Sequence, residues 1–316
     1  MKDRIVAAVD AWQRGHAIAG FAFAVIKKFG DDRASSLAAL MAYYAFFSLF
    51  PLLLVFVSVL GFVLQDDPSL REDIVDSTLS RIPVVGAQLG AGVEPLQGSS
   101  IALVVGIVGA LWAGLGVTLA LGRAFQDIHD VPRLEQRGPV RSRVRGVTML
   151  VLLGVALIAA SVLSGLATGG PFGDVAGRLG ALAAALLANL LIFLAVFWLQ
   201  TPRPRTARGV LPGVVLAAIG SLVLQSLGGW YVDATIAGAT DTYGAFALVI
   251  GLMSWFLLGS NMLLIAAEVN VVRARRLWPR ALAGELAEAD RRALRANAES
   301  ARQDERQEIV VGFGDG

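Results

Sequence analysis

Six stretches of about twenty residues or more carry almost no charge, at 37–64, 101–121, 147–167, 179–199, 210–232 and 244–267. A hydrocarbon core ~30 Å thick needs ~20 apolar helical residues to cross it. Backbone in lipid must satisfy its own hydrogen bonds, so each stretch is read as an α-helix. The expected fold is all-α: a polytopic integral membrane protein with six transmembrane helices plus amphipathic interfacial helices. Composition agrees, because 56% hydrophobic residues and a mean hydropathy of +0.66 leave too much apolar surface for a soluble core. The chain has no cysteine, which excludes disulfides, thiolate metal sites and a cysteine nucleophile.

The flanks divide the chain into three parts. Residues 1–33 are read as a cytoplasmic, interfacial segment, since the apolar run 17–26 is only ten residues and too short to span. There Ile5, Val6, Val9, Trp12 and Phe21 would face lipid, with Lys2, Arg4 and Arg14 toward headgroups. Residues 34–278 form the transmembrane domain, and 279–316 a polar cytoplasmic tail, partly disordered. A second amphipathic helix is expected between 65 and 100, from Ile74, Val75, Leu79 and Ile82. Alternate connectors collect the Lys and Arg, so that 24 basic and 16 acidic residues fall on one side and 3 and 9 on the other. The positive-inside rule places both termini in the cytoplasm.

Polar residues inside spans are costly unless they face protein or water. Tyr43, Tyr44 and Ser48 lie in the first span, and Pro51 there removes an N–H and supplies a bend. Glu268, which directly continues the uncharged sixth span, and Asn270 are the sharpest candidates. Two readings of Glu268 stand: an interfacial ion pair with Arg123, Arg275 or Arg276, or a proton or cation site. The loop 133–145 holds five Arg and one Glu without an aromatic residue, which suits anionic inner-leaflet headgroups and not nucleic acid. Membrane lipids are thus the expected partners. Small-residue pairs such as Gly209 with Gly213 permit a homo-oligomer. His16 and His129 are isolated, and phosphate-loop, dinucleotide and serine-nucleophile signatures are missing. No catalytic, metal or cofactor residue is expected, and the chain is not read as an enzyme.

The run AYYAFFSLFPLLL (42–54) resembles the signature first span of the YihY/BrkB family of bacterial inner-membrane proteins. Further similar runs are LWAGLGVTLALGRAFQDIHDV (111–131), LPG (211–213), YGAFALVIGLMSW (243–255) and AAEVN (266–270), in order across roughly 20–275. The resemblance implies a six-span inner-membrane protein with cytoplasmic ends. It also brings the historical label ribonuclease BN, a misassigned tRNA-processing name to which these residues give no physical support. His129 departs from the family, which often has Tyr there, and the 284–308 tail lies outside the shared core. The expectation is transport or handling of a lipid or small solute in a cavity bounded by the first, second and sixth spans. Tyr43, Tyr44 and Ser48 would line it, Pro51 would let it bend, and Glu268 with Arg123 would form its inner charge pair. The alternative is a non-catalytic scaffold that organises envelope proteins.

Overall fold

The computed structural model describes residues 2–63, 100–169, 175–202, 206–232, 245–282 and 284–313. The elements are α1 (Lys2–Gly15), α2 (Ala17–Asp31), α3 (Ala34–Val63), α4 (Ser100–Ile128), α5 (Pro139–Gly169), α6 (Val175–Gln200), α7 (Ala207–Val232), α8 (Ala245–Arg275) and α9 (Glu288–Ser300), with a 3-10 turn at Arg133–Glu135. No strand occurs among the described residues. Four helices are long and apolar enough to cross a membrane, through Ala34–Leu52, Val104–Ile128, Ala207–Leu227 and Val249–Arg275. The apolar part Leu186–Gln200 of α6 is shorter. The all-helical expectation holds, with four candidate spans among the described residues where the sequence suggests six. The surface helix expected between 65 and 100 falls outside the described residues up to 99, and the connector 233–243 lies outside them entirely.

One compact unit comprises Ala38–Ala120 and Gly220–Ser260. Here α3 meets α4 through glycines: a Cβ on Gly116 would stand 2.6 Å from the Tyr44 ring, and one on Gly109 would stand 3.1 Å from Pro51. Without a hydrophobic drive between helices in lipid, such close approach is what gains packing. Phe46 and Leu252 are buried together, with Leu49, Met253 and Phe256 around them.

The other unit comprises Met1–Leu37, Leu121–Ile219 and Asn261–Gly316. Within it α5 packs on α6. Ala24, Val25, Val272, Leu277 and Ala293 form a core shared by α2, α9, α8 and the turn that follows α8. Phe21, expected to face lipid, instead sits edge-on against Trp278 with ring centroids 5.2 Å apart. Trp12, Ile18 and Ile26 do remain exposed. The small side chains of Gly20 and Ala24 give α2 a flat buried face, and Phe21 lies beside it.

The stretch read as a polar tail contains α9, whose Ala289 and Ala293 are buried. Asp290 fixes it: the carboxylate accepts from Lys27 Nζ at 2.8 Å, Arg280 Nε at 2.8 Å and the Ala281 N–H at 2.7 Å. It also accepts from the Ala287 N–H at 3.2 Å, capping the first turn of α9. Arg280 reaches Asp31 as well, at 2.8 Å. Burial pushes the Asp290 carboxyl up, but Lys27, the Ala281 amide and Arg280 more than offset it and hold the group below its ordinary value of 3.8. Its contribution to stability is therefore present above 3.8 and lost as pH falls through the lower folded value. Asp290→Asn should cost about 3 kcal/mol at neutral pH, because it leaves the buried Arg280 with Asp31 as its one anion and takes the anion from half-buried Lys27. It should also flatten the acid limb of a plot of melting temperature against pH in detergent.

Candidate functional site

A cavity of about 880 Å³ opens where the end of α4, the start of α5, the end of α6, the start of α7 and the end of α8 converge. Arg137, Arg141, Arg145 and Arg275 line it, with Glu135 and Asp130 as the acids. Arg137 is a built part of the wall, since its N–H donates to Gln126 Oε1 at 2.8 Å and its Nη2 to the Gln200 carbonyl at 2.9 Å. Arg141 and Arg145 stand one turn apart at the start of α5, near the positive end of that helix, where cations are unfavourable. The start of α7 also faces the cavity: Thr206 Oγ1 accepts from the Gly209 N–H at 3.1 Å, and both residues line the space. Four guanidiniums against two carboxylates leave the lining net positive.

Of the polar residues singled out in and beside the spans, Asn270 lines this cavity, as do Arg275 and arginines of the 133–145 loop, and Asn270 also bridges to α7. Pro212 lies inside α7 and interrupts its hydrogen-bond ladder. Asn270 accepts from the Gly213 N–H at 2.7 Å and donates to the Val210 carbonyl at 3.0 Å. Gly213 leaves no room for a side chain, because a Cβ there would overlap the Ala266 carbonyl oxygen and the Asn270 amide.

Beside the cavity lies a buried charge cluster. Lys28 Nζ donates to Asp32 at 2.5 Å and to the Ile128 carbonyl at 3.0 Å, and lies 3.4 Å from Asp130. Arg275 pairs with Asp130 at 2.6 Å and also donates to the His129 carbonyl. Asp130 holds φ +46, a left-handed conformation that Asp tolerates, and beyond it the Val131 N–H closes the end of α4 on the Gln126 carbonyl at 3.0 Å. Glu268, fully buried, faces Lys28, Asp32 and Asp130. Burial alone would lower the Lys28 ammonium, but Glu268, Asp32 and Asp130 hold it above its ordinary value and so charged. Burial pushes the Asp32 carboxyl up to about 6 against the pull of Lys28. His129 gives Nδ1–H to the Phe125 carbonyl at 2.7 Å, and its ring stacks on Phe125. Burial, helped by Arg275, Lys28 and Arg137, pushes its imidazole down to about 4, so it is neutral at physiological pH.

The Glu268–Arg123 pair expected from sequence is corrected. Arg123 sits on the exposed face of α4, one turn before Asp127, whereas Ala124, Phe125 and Ile128 make the buried face. The cation beside Glu268 is Lys28, and Arg275 serves Asp130. Lys28 had a sequence signal, an Asp four residues later on the same helix face. Tyr43, Tyr44, Ser48 and Pro51 line neither this cavity nor the cluster. Tyr43 is exposed against Phe47, Tyr44 and Pro51 pack on glycines of α4, and Ser48 Oγ donates to the Ala45 carbonyl at 2.7 Å.

Residues 25–291 match the family described as virulence factor BrkB, which covers most of the chain and both features above. The chain belongs to the BrkB family. Among curated BrkB-like relatives, it is 26% identical over 261 residues to the ribonuclease-like protein YfkH of Bacillus subtilis, covering 76% of this chain and 90% of that one. It is also 26% identical over 262 residues to the inner membrane protein YhjD of Escherichia coli, covering 76% and 77% of the two chains. No solved structure matches. The BrkB match runs past 275 to 291 and so takes in Asp290. With its apolar helices and its inner-membrane relative, the protein is a BrkB-family protein of the inner membrane, in contact with membrane lipids.

Proposed function

We propose that this BrkB-family protein has six spans with both termini in the cytoplasm, and that it moves or handles an anionic lipid or small anionic solute whose charged group sits in the basic cavity. The observation that carries this reading is the cavity itself, with Arg137, Arg141, Arg145 and Arg275 outnumbering Glu135 and Asp130 around about 880 Å³. An anion between Arg141 and Arg145 would offset the unfavourable placing of cations at the positive end of α5. On the positive-inside reading the cavity faces the cytoplasm, where the leaflet is anionic and each arginine near its surface contributes on the order of 1 kcal/mol. The ribonuclease-like name of YfkH is not carried over to this chain. Among the described residues no His, Asp and Glu side chains are grouped to hold a metal ion.

The test is reconstitution of the full chain in proteoliposomes, following scrambling of headgroup-labelled anionic and zwitterionic lipids and efflux of inorganic phosphate. Arg141→Glu combined with Arg145→Glu should lower the rate roughly tenfold or more, because two charges are reversed. Arg295→Glu, on α9 away from the cavity, should leave it unchanged. Rates equal to empty vesicles for every probe would overturn the reading and favour the scaffold.

A further inference from the structure

The charge cluster holds more negative than positive groups. Glu268, Asp32 and Asp130 are three carboxylates, faced by the Lys28 ammonium and, through Asp130 alone, the Arg275 guanidinium. All three carboxylates are buried, Glu268 with no exposed surface at all. An ammonium has three N–H donors. Lys28 gives one to Asp32 and one to the Ile128 carbonyl, and its Nζ lies 3.4 Å from Asp130. Glu268 receives none of them: neither of its buried carboxylate oxygens has a hydrogen-bond partner. The polar side chain it meets is the Asp32 carboxylate, another acceptor. Two carboxylates in contact away from water cannot both stay ionised, whereas one proton between them turns the repulsion into a hydrogen bond. The remaining charged neighbours are already committed. Asp31 and Asp290 pair with Arg280, and His129 is tied to Phe125.

We propose that Glu268 and Asp32 share one proton at neutral pH, and that the cluster is a proton-binding site. A second cavity of about 150 Å³ reaches it, lined by Lys28, Asp31, Asp32, Ala293, Leu294 and Asn297. That space is large enough for a few waters at ~30 Å³ each, giving the proton a path for exchange. Asp130 and Arg275 line the large cavity, so the chain of pairs Asp32–Lys28–Asp130–Arg275 runs from one cavity to the other. This inference stands on the cluster alone and holds whether or not the basic cavity takes a lipid.

Infrared spectra of the full-length protein in nanodiscs, recorded in H2O and D2O at neutral pH, test it without any ligand. A carboxylic-acid C=O band that shifts on deuteration is expected in the wild type. Glu268→Gln, which mimics the protonated side chain, should remove one such acid per chain and keep the melting temperature close to that of the wild type. A wild-type spectrum with no carboxylic-acid band at neutral pH overturns the proposal whatever the variants do. A band that persists at full intensity in Glu268→Gln assigns the acid elsewhere and overturns it too.

Discussion

Lys28→Met should destabilise the protein by about 3–5 kcal/mol, the usual effect of removing one partner from a buried ion cluster. Methionine fills a similar volume, so the loss is electrostatic rather than a cavity effect. The Asp32 and Asp130 carboxylates, with side chains 3% exposed, would lose the cation between them, and Ile128 a donor to its carbonyl. The wild-type ammonium is held above its ordinary 10.5, so its contribution is present across the neutral range and lost only as pH rises through that higher folded value. In the variant the deficit should shrink as pH falls and the stranded carboxylates take up protons. Thermal unfolding in detergent at a series of pH values reads both the loss and its sign. A deficit that does not change with pH would mean the ammonium acts by packing alone.

Gly213→Ala should be nearly as damaging. Its Cβ would meet a backbone oxygen on α8 and the Asn270 amide, neither of which is the free end of a flexible chain. Relief requires α7 and α8 to separate, which breaks the Gly213 N–H bond to Asn270. Overpacking of this kind costs 1–3 kcal/mol, and the lost bond to a buried amide brings the total to roughly 3 kcal/mol or more. Gly154→Ala, in the open along α5 with nothing within 4 Å of its Cβ, is the matched control. It should be neutral or gain up to ~1 kcal/mol of helix propensity. Equal melting temperatures for the two variants would contradict the packing described here.

Four spans were legible because a long uncharged run has few alternatives to crossing lipid, and Asn270 stood out as a polar residue at the end of such a run. The runs LPG and AAEVN look unrelated in sequence, yet they meet where Asn270 bridges the turn that Pro212 opens. The partner of Glu268 was not legible, because Lys28 is brought to it from the far end of the chain by folding, and Arg123 sits as close in hydropathy terms but on the wrong face of α4. The docking of α9 was hidden for a different reason. Its sequence is strongly polar, and what seats it is two alanines and one aspartate whose partners lie in α2 and the turn before α9. Tyr44 was read as cavity lining and Pro51 as a bend because polar and kinking residues in a span invite those readings, and both stand against glycines of α4 in close packing.

The bond between Asp130 and Arg275 belongs to the basic cavity and to the cluster at once. On the function and proton site proposed above, a guest anion that recruited Arg275 would withdraw positive charge from Asp130, Lys28 would then serve it more fully, and Asp32 with Glu268 would hold their proton more tightly. Thermodynamic reciprocity requires the converse, that loading the proton raises the affinity for the anion by the same factor. Cargo and proton would then enter and leave together, an arrangement in which a pH difference across the membrane becomes a source of direction for the cargo.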